Sequence, residues 1–240
     1  TKTGDPSQLN ILVIDTSTDI ELMCISVNGR IYQHCSSSGM SHSVTMFQNL
    51  AFLLSQASIK MNDIGLIGTG IGPGSFTGIR IAVSTARMFS QILKVPLVGL
   101  KSPEIYAASV KCSEPATVLA AFDAKKSRVF AGVYRLDDTK IHETVKPGDY
   151  FMKDLLYSIS NTGNLTCIGD GCEKYIDIIE EFTIENRIKY KFIKDFLPDG
   201  KAAAELTLEK YNESPDIYAD YNNTIPFYSR QSDAELLKNK

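Results

Sequence analysis

The sequence predicts an α/β protein built by duplicating one unit, and three observations lead there. Strand-like and helix-like segments alternate along nearly the whole chain, the pattern that lays helices on sheets. A strand ending in aspartate, then a polar turn and a second strand, occurs twice: ILVID closes on Asp15 and TVLAAFD on Asp123. The 240 residues are 43% hydrophobic, enough for a core in one large domain or two small ones.

The elements follow in order. LNILVID is a strand, and ELMCISVNGRIYQHC is two more, joined at Asn28-Gly29, the strongest short hairpin signal. SHSVTMFQNLAFLLSQASI is helical, and IGLIGTGIG is a buried strand running into the stretch IGPGSFTGIR, Ile71 to Arg80. GIRIAVSTARMFSQIL is a second helix, closed by Lys94 and by Pro96 just beyond it. After the short strand VPLVGL, Ser102-Pro103 opens a further helix with proline in its first turn. The second copy then starts with TVLAAFD and a hairpin in SRVFAGVYRLDDTKIHE around Asp137-Asp138. A helix in YFMKDLLYSIS, a strand in LTCIGDG and a helix in EKYIDIIEEF complete it. KYKFIKDFLP, a helix GKAAAELTLEKY and the tail TIPFYSRQSDAELLK end the chain.

These elements divide into an N-terminal unit over 11–101 and a second, more degraded unit over 102–240, with the last helix and tail. The helix near 201–211 belongs either with the second unit or back on the first. The polar opening TKTGDPSQLN lacks a starting Met and reads as a disordered tag remnant, so residues 1–10 are set aside.

Composition excludes several functions. No run approaches the roughly 18 apolar residues that span a bilayer. Net charge is −3, with 25 Lys+Arg against 28 Asp+Glu, so free nucleic acid is not an expected partner of the chain alone. DAKKSRVF and KYKFIK are short basic clusters, read as solvated faces. Cys24, Cys35, Cys112, Cys167 and Cys172 form no disulfide framework and read as reduced thiols of a cytoplasmic protein. His34, His42 and His142 make no H-x-x-x-H pair, and no metal site is expected. Asp15 and Asp123 end their strands where a carboxylate can hold a metal or polarise water, yet no base, nucleophile or second ligand accompanies either.

The glycine stretch fails each catalytic template. A phosphate loop needs a lysine, and none lies between Ile64 and Leu93. The spacing misses G-x-G-x-x-G, and Ser75 lacks the flanking glycines of a nucleophile elbow, since Pro73 and Thr77 stand there. What survives is a strand-to-helix turn in which Gly72, Gly74 and Gly78 allow a tight backbone while Ser75 or Thr77 caps the helix. Such an N-terminus also attracts anions, so a capped structural turn and an anion site both remain open. Arg80 opposes the helix dipole, either because a carboxylate or ligand holds it or because it is simply solvated.

Both long helices of the first unit are apolar on two sides. The first carries Val44, Phe47, Ala51 and Leu54 in one stripe and Met46, Leu50, Leu53 and Ala57 in another. The second carries Ile79, Ala82, Val83, Ala86 and Leu93 on one side, and Ile81, Met88 and Ile92 on the other. One stripe packs on a sheet; the other needs a cover, from the second half of the chain or from another protein.

ILVIDTST, SHS before a helix, GTGIGPGSFTGIRIA, VLAAFDAKKSRVFAGVY and the tail IPFYSR together closely resemble the bacterial TsaB (YeaZ) family, in order and spacing over nearly the whole chain. The resemblance implies a fold of the actin/Hsp70/sugar-kinase (ASKHA) kind with two duplicated α/β domains. It also implies a non-catalytic subunit, without a cofactor of its own, in the synthesis of threonylcarbamoyladenosine beside the tRNA anticodon. Such a subunit pairs through its N-domain helices with its paralogue TsaD, the metal-carrying transferase, and TsaE, an ATPase, joins them. It forms homodimers through the same helices and meets tRNA only in the complex. Carried onto this chain, the interface candidates are Met46, Phe47, Leu50, Leu54, Ile81, Thr85, Met88 and Ile92. Gly72, Gly74, Ser75, Thr77, Gly78 and Arg80 become a structural turn that starts the interface helix. The alternative is an independent enzyme of the same fold, nucleotide-dependent or peptidase-like. The first turn, Asp15-Thr16-Ser17-Thr18, reads D-T-S-T where the ATPase relatives have D-x-G-[ST], which favours the adaptor.

Overall fold

The computed structural model describes residues 9–37, 42–112, 114–137 and 140–230. Of the opening residues 1–10, those up to residue 8 lie outside the described residues, as do Ser41 of the SHS motif, Asp138 of the second hairpin and the tail beyond Arg230, whereas Leu9 packs on the core and Asn10 starts a strand.

Two five-stranded sheets carry the fold. The first joins β1 (Asn10–Asp15), β2 (Ile20–Val27), β3 (Arg30–Ser37), β4 (Ile64–Gly70) and β5 (Leu97–Leu100) in the order β3-β2-β1-β4-β5. Strands β1 to β3 are antiparallel, whereas β4 and β5 run parallel to β1. The second joins β6 (Ala116–Asp123), β7 (Val129–Asp137), β8 (Lys140–Tyr150), β9 (Asn164–Ile168) and β10 (Lys189–Ile193) in the order β10-β9-β6-β7-β8. Both sheets therefore have the order 3-2-1-4-5 when their strands are counted from their own start. The hairpin between β2 and β3 turns at Asn28 and Gly29, both at positive φ, with Val27 facing Arg30. That is the backbone a two-residue turn needs to match strand twist.

Helix α1 (His42–Ala57) and helix α2 (Phe76–Leu93) cover one face of the first sheet. Strand β1 shows why its sequence is apolar throughout. Leu12 and Ile14 point to α1 and α2, while Ile11 and Val13 point to the opposite face. On that face lie α3 (Ser102–Ala108), through Ile105, and α7 (Gly200–Glu213), through Ala203, Ala204 and Leu206. Helix α7 thus packs on the first sheet, 100 residues and more after it in sequence.

The second sheet is covered on one face by α4 (Met152–Tyr157), α5 (Asp170–Lys174) and α6 (Ile176–Glu185). Its other face packs Tyr106, Ala107 and Val110, at the end of α3, against Val118, Ala120 and Phe122 of β6. The segment EKYIDIIEEF, expected as one helix, breaks at Tyr175 into α5 and α6. KYKFIK also differs from its reading as only a solvated face: it forms edge strand β10, parallel to β9. Tyr190 and Phe192 pack on the core while Lys189 and Lys191 stay exposed, a two-residue alternation that a strand supplies. A four-residue helix α8 (Pro215–Tyr218) and a 3-10 turn (Tyr221–Asn223) lead into the C-terminal tail.

Candidate functional site

Two features stand out: an apolar helix face on the first unit and a cleft between the two sheets. The helix face comes from the stripe that α2 does not spend on its sheet. Ile79, Ala82, Val83 and Ala86 are buried, Ala82 and Ala86 in the core beneath the first sheet, leaving Ile81 and Thr85 partly covered and Met88 and Ile92 exposed by 40% and 67%. On α1, Met46 and Leu50 are core residues, only 2% and 5% exposed, packed with Leu53 and Ala57 on the sheet. They are corrected from interface candidates to core, because no partner can reach them. Phe47, 51% exposed, lies outward and meets Phe89 of α2 edge-on at 6.4 Å between ring centres, while Leu54 is half-covered and packs on the edge of the core. Phe52 adds a ring 61% exposed.

At the start of α2 the glycine stretch is locked to the first turn of the chain. Ser75 N–H donates to the Ser17 carbonyl (2.7 Å) and the Thr16 hydroxyl to the Gly78 carbonyl (2.7 Å). A Cβ on Gly74 would sit 2.1 Å from the Ser17 carbonyl oxygen, and one on Gly78 would sit 1.8 Å from that of Thr16. Gly72 has φ +95° and precedes a cis proline. Ser75 is the N-cap, accepting from Gly78 N–H at 3.3 Å, and Thr77 lines the cleft.

Arg80 finds neither a carboxylate nor only water. Its guanidinium lies 3.9 Å from the Phe76 ring centre, and Nε donates to the Tyr228 hydroxyl at 3.1 Å. The tail carrying Tyr228 straps this region. Phe227 N–H donates to the Ile71 carbonyl, Arg87 donates to the carbonyls of Thr224 and Asn222, and Arg230 donates across to Ala124 of the second unit. The sequence shows no local sign of these contacts.

The cleft, about 590 Å³, is lined from the first unit by Ser17, Ser75 and Thr77 and from the second by Asp123 and Lys125. The two strand-ending aspartates differ. Asp15 is 3% exposed, accepts from Ser17 N–H at 2.8 Å and packs against the bare face of Gly70. Asp123 faces the cleft, paired with Lys125 at 2.8 Å and Lys174 at 2.9 Å. Burial pushes its carboxyl up, but the hydrogen bonds from Lys125 and Lys174 outweigh this and leave it below its ordinary value. Neighbouring Asp170 goes the other way, raised mainly by burial. Among the described residues no three His, Cys, Asp or Glu side chains converge to hold a metal ion, and no helix is long and apolar enough to cross a membrane. Both described cysteines of the close pair, Cys167 and Cys172, are buried free thiols, as is Cys24.

Two sheets of one order, facing each other across a cleft bordered by their first turns, define the actin/Hsp70/sugar-kinase class of fold. The family model described as TsaD, tRNA N6-adenosine threonylcarbamoyltransferase, matches residues 36–237. The Bacillus subtilis tRNA threonylcarbamoyladenosine biosynthesis protein TsaB is 24% identical, over 95% of this chain and 96% of its own length. Its counterpart from Buchnera aphidicola of Schizaphis graminum is 26% identical, over 80% and 89%. Among solved structures, YeaZ from Pseudomonas aeruginosa superposes with a TM-score of 0.73 at 20% identity, over 92% of this chain and 99% of that one. The chain belongs to this family, in its TsaB (YeaZ) branch.

Proposed function

We propose that the chain serves the synthesis of threonylcarbamoyladenosine in tRNA, in the cytoplasm, as a non-catalytic subunit that docks the TsaD paralogue, with TsaE joining the pair. The observation that carries this reading is the uncovered apolar stripe of α1 and α2: Phe47, Met88 and Ile92, flanked by Leu54, Ile81 and Thr85. An exposed face of this kind is stabilised by burial against a second protein, at about 1.5–3 kcal/mol per large side chain fully covered. The same face serves a homodimer when the chain is alone. The names of the TsaB relatives supply the pathway. The non-catalytic role rests on Asp123, whose carboxylate is occupied by two ammonium groups. With a net charge of −3, the chain leaves tRNA binding to the assembled complex.

Size-exclusion chromatography with light scattering, on the chain alone and mixed with TsaD of the same organism, tests this. Met88→Glu or Ile92→Glu weakens the mixed complex by ~30-fold or more, as expected for a charge in the middle of an apolar contact. Ile184→Glu, at a residue 78% exposed on α6, leaves it unchanged. A chain that never pairs with TsaD, or Met88 and Ile92 variants that pair like the parent, sinks the docking reading. Magnesium-dependent ATP turnover by the isolated chain would replace it with an independent enzyme.

A further inference from the structure

The segment after the 3-10 turn, residues 224–230, runs along the first unit in a seat that two glycines leave open. A Cβ on Gly72 would sit 2.9 Å from the Phe227 carbonyl oxygen, and one on Gly99 would sit 3.2 Å from the Thr224 methyl. The segment is bonded in at both points. The Thr224 hydroxyl donates to the Leu97 carbonyl and Phe227 N–H to the Ile71 carbonyl, each at 2.8 Å. Rings and cations add to this anchor. Lys101 Nζ lies 3.1 Å from the centre of the Phe227 ring, and the Tyr228 ring lies 4.6 Å from that of Phe76, the first residue of α2. Beyond the anchor the chain crosses to the second unit. Arg230 Nη2 donates to the Ala124 carbonyl at 3.1 Å, and its guanidinium lies 5.8 Å from the centre of the Phe130 ring. Tyr228, Ser229 and Arg230 line the cleft together with Thr77 of the first unit and Asp123 of the second.

The two places where the units meet differ in kind. At α3 they meet through apolar side chains: Tyr106, Ala107 and Val110, and Val118, Ala120 and Phe122 against them, are at most 7% exposed. Across the cleft, the tail reaches the second unit with one half-buried guanidinium, on a carbonyl and a ring. Parting the first contact opens apolar core to water. Parting the second exchanges a hydrogen bond to a carbonyl for one to water, so the tail link gives way first. We infer that residues 224–230 are a latch: anchored on the first unit, they hold the second unit closed across the cleft through Arg230, and the cleft opens about α3 when Arg230 lets go. Arg80 and Arg87 tie the same segment to α2, so the latch also fixes the second unit against that helix. The latch belongs to the chain itself and does not depend on α1 and α2 docking a partner.

Double electron–electron resonance on the full chain reads the separation of the units directly. Spin labels go on Gln56→Cys in α1 and Lys153→Cys in α4, both exposed positions, one on each unit. Cys35→Ser and Cys112→Ser remove the native thiols that are not buried, and dilution with unlabelled chain leaves only distances within one molecule. The parent is expected to give one narrow distribution. Arg230→Ala, which removes the crossing, shifts and broadens it by about 2 Å or more, the scale of a domain rearrangement. Tyr228→Ala, which takes the ring from Phe76 and the acceptor from Arg80, moves it the same way. Ile225→Ala, at a tail residue 62% exposed, leaves it unchanged. Urea unfolding midpoints of the variants separate a lost latch from a lost fold. The proposal is overturned if Arg230→Ala keeps the parent distribution, since α3 alone would then set the cleft. It is equally overturned if Ile225→Ala shifts the distribution as far as Arg230→Ala does, since the tail would then act by its bulk and not through its crossing residue.

Discussion

The turn after β1 and the turn after β6 hold the same place in two copies of one sheet, and in both the strand-ending aspartate accepts from the N–H two residues on, yet the rest of their support differs. The first, Asp15 to Thr18, is closed by backbone. Thr16 and Ser17 are at most 1% exposed, bonded to Gly78 and Ser75 at the start of α2, and Ser17 donates to the Ser102 hydroxyl at 2.6 Å. The second, Asp123 to Ser127, closes its backbone on itself, through Ala124 N–H to the Arg128 carbonyl and Arg128 N–H to that of Lys125, and adds charge, with Lys125 75% exposed on its ion pair. Its Lys125, Lys126 and Ser127 all take positive φ, and no glycine is spent there. Both following helices start with glycines packed on backbone, Gly74 and Gly78 on the first turn and Gly169 and Gly171 on Ala121 and Phe122, yet α2 runs 18 residues from a capping serine while α5 breaks after five, at Tyr175. A duplicated sheet therefore does not dictate duplicated surroundings: the first turn is buried under the start of a long helix, and the second faces the cleft with two lysines on its aspartate.

The largest effect expected from this difference is at Gly78. Gly78→Ala places a methyl 1.8 Å from the Thr16 carbonyl oxygen, so two backbone segments must part, at a cost of about 3 kcal/mol or more. Lys174→Met, which removes one of the two cations on Asp123 from a residue 44% exposed, costs below about 1 kcal/mol. Urea unfolding of the two variants reads the contrast, and equal losses would break it. Next in size is the cap. Ser75→Ala removes the acceptor for Gly78 N–H and costs about 1 kcal/mol of stability, with TsaD pairing retained. If that variant abolished tRNA modification while stability and pairing stayed intact, Ser75 would have a chemical role, and the turn would be more than structural.

Legibility in the sequence follows the range of the interaction. The duplication, the Asn28-Gly29 hairpin and the capping serine are local and were readable, because turn chemistry is written in adjacent residues. The two sides of α2 separated well, since small residues (Ala82, Ala86) mark its sheet side and long ones (Met88, Ile92) its free side. On α1 the stripes of Phe47 and Met46 are equally apolar, so nothing local decides that Met46 and Leu50 turn to the sheet. The edge strand β10 was masked by its lysines, although Tyr190 and Phe192 already alternate with them. The strap was invisible: Arg80 and Tyr228 are 148 residues apart, and each looks like an ordinary surface residue by itself.

The smallest expected effect is the sharpest, because it separates two carboxylates in one wall. Asp123 titrates below its ordinary value of 3.8 and Asp170 above the same value, although Asp123 N–H donates to the Asp170 carboxylate at 3.3 Å. The signs of their linkage to folding are opposite. Asp123, depressed in the folded state, contributes stability that is present above 3.8 and lost as pH falls through its folded value. Asp170, raised mainly by burial, opposes folding when ionised, and that penalty disappears as pH falls through its folded value towards 3.8. Acidification from neutrality therefore relieves Asp170 first and removes the Asp123 ion pairs afterwards. Asp170→Asn should stabilise the protein at neutral pH and flatten the first step, while Asp123→Asn should destabilise it and abolish the second. Carboxyl-carbon NMR titration of the parent chain assigns each aspartate its own midpoint. If both titrated together near 3.8, the lysines and the burial would be too well screened to act, and the second turn would be held by its backbone bonds alone.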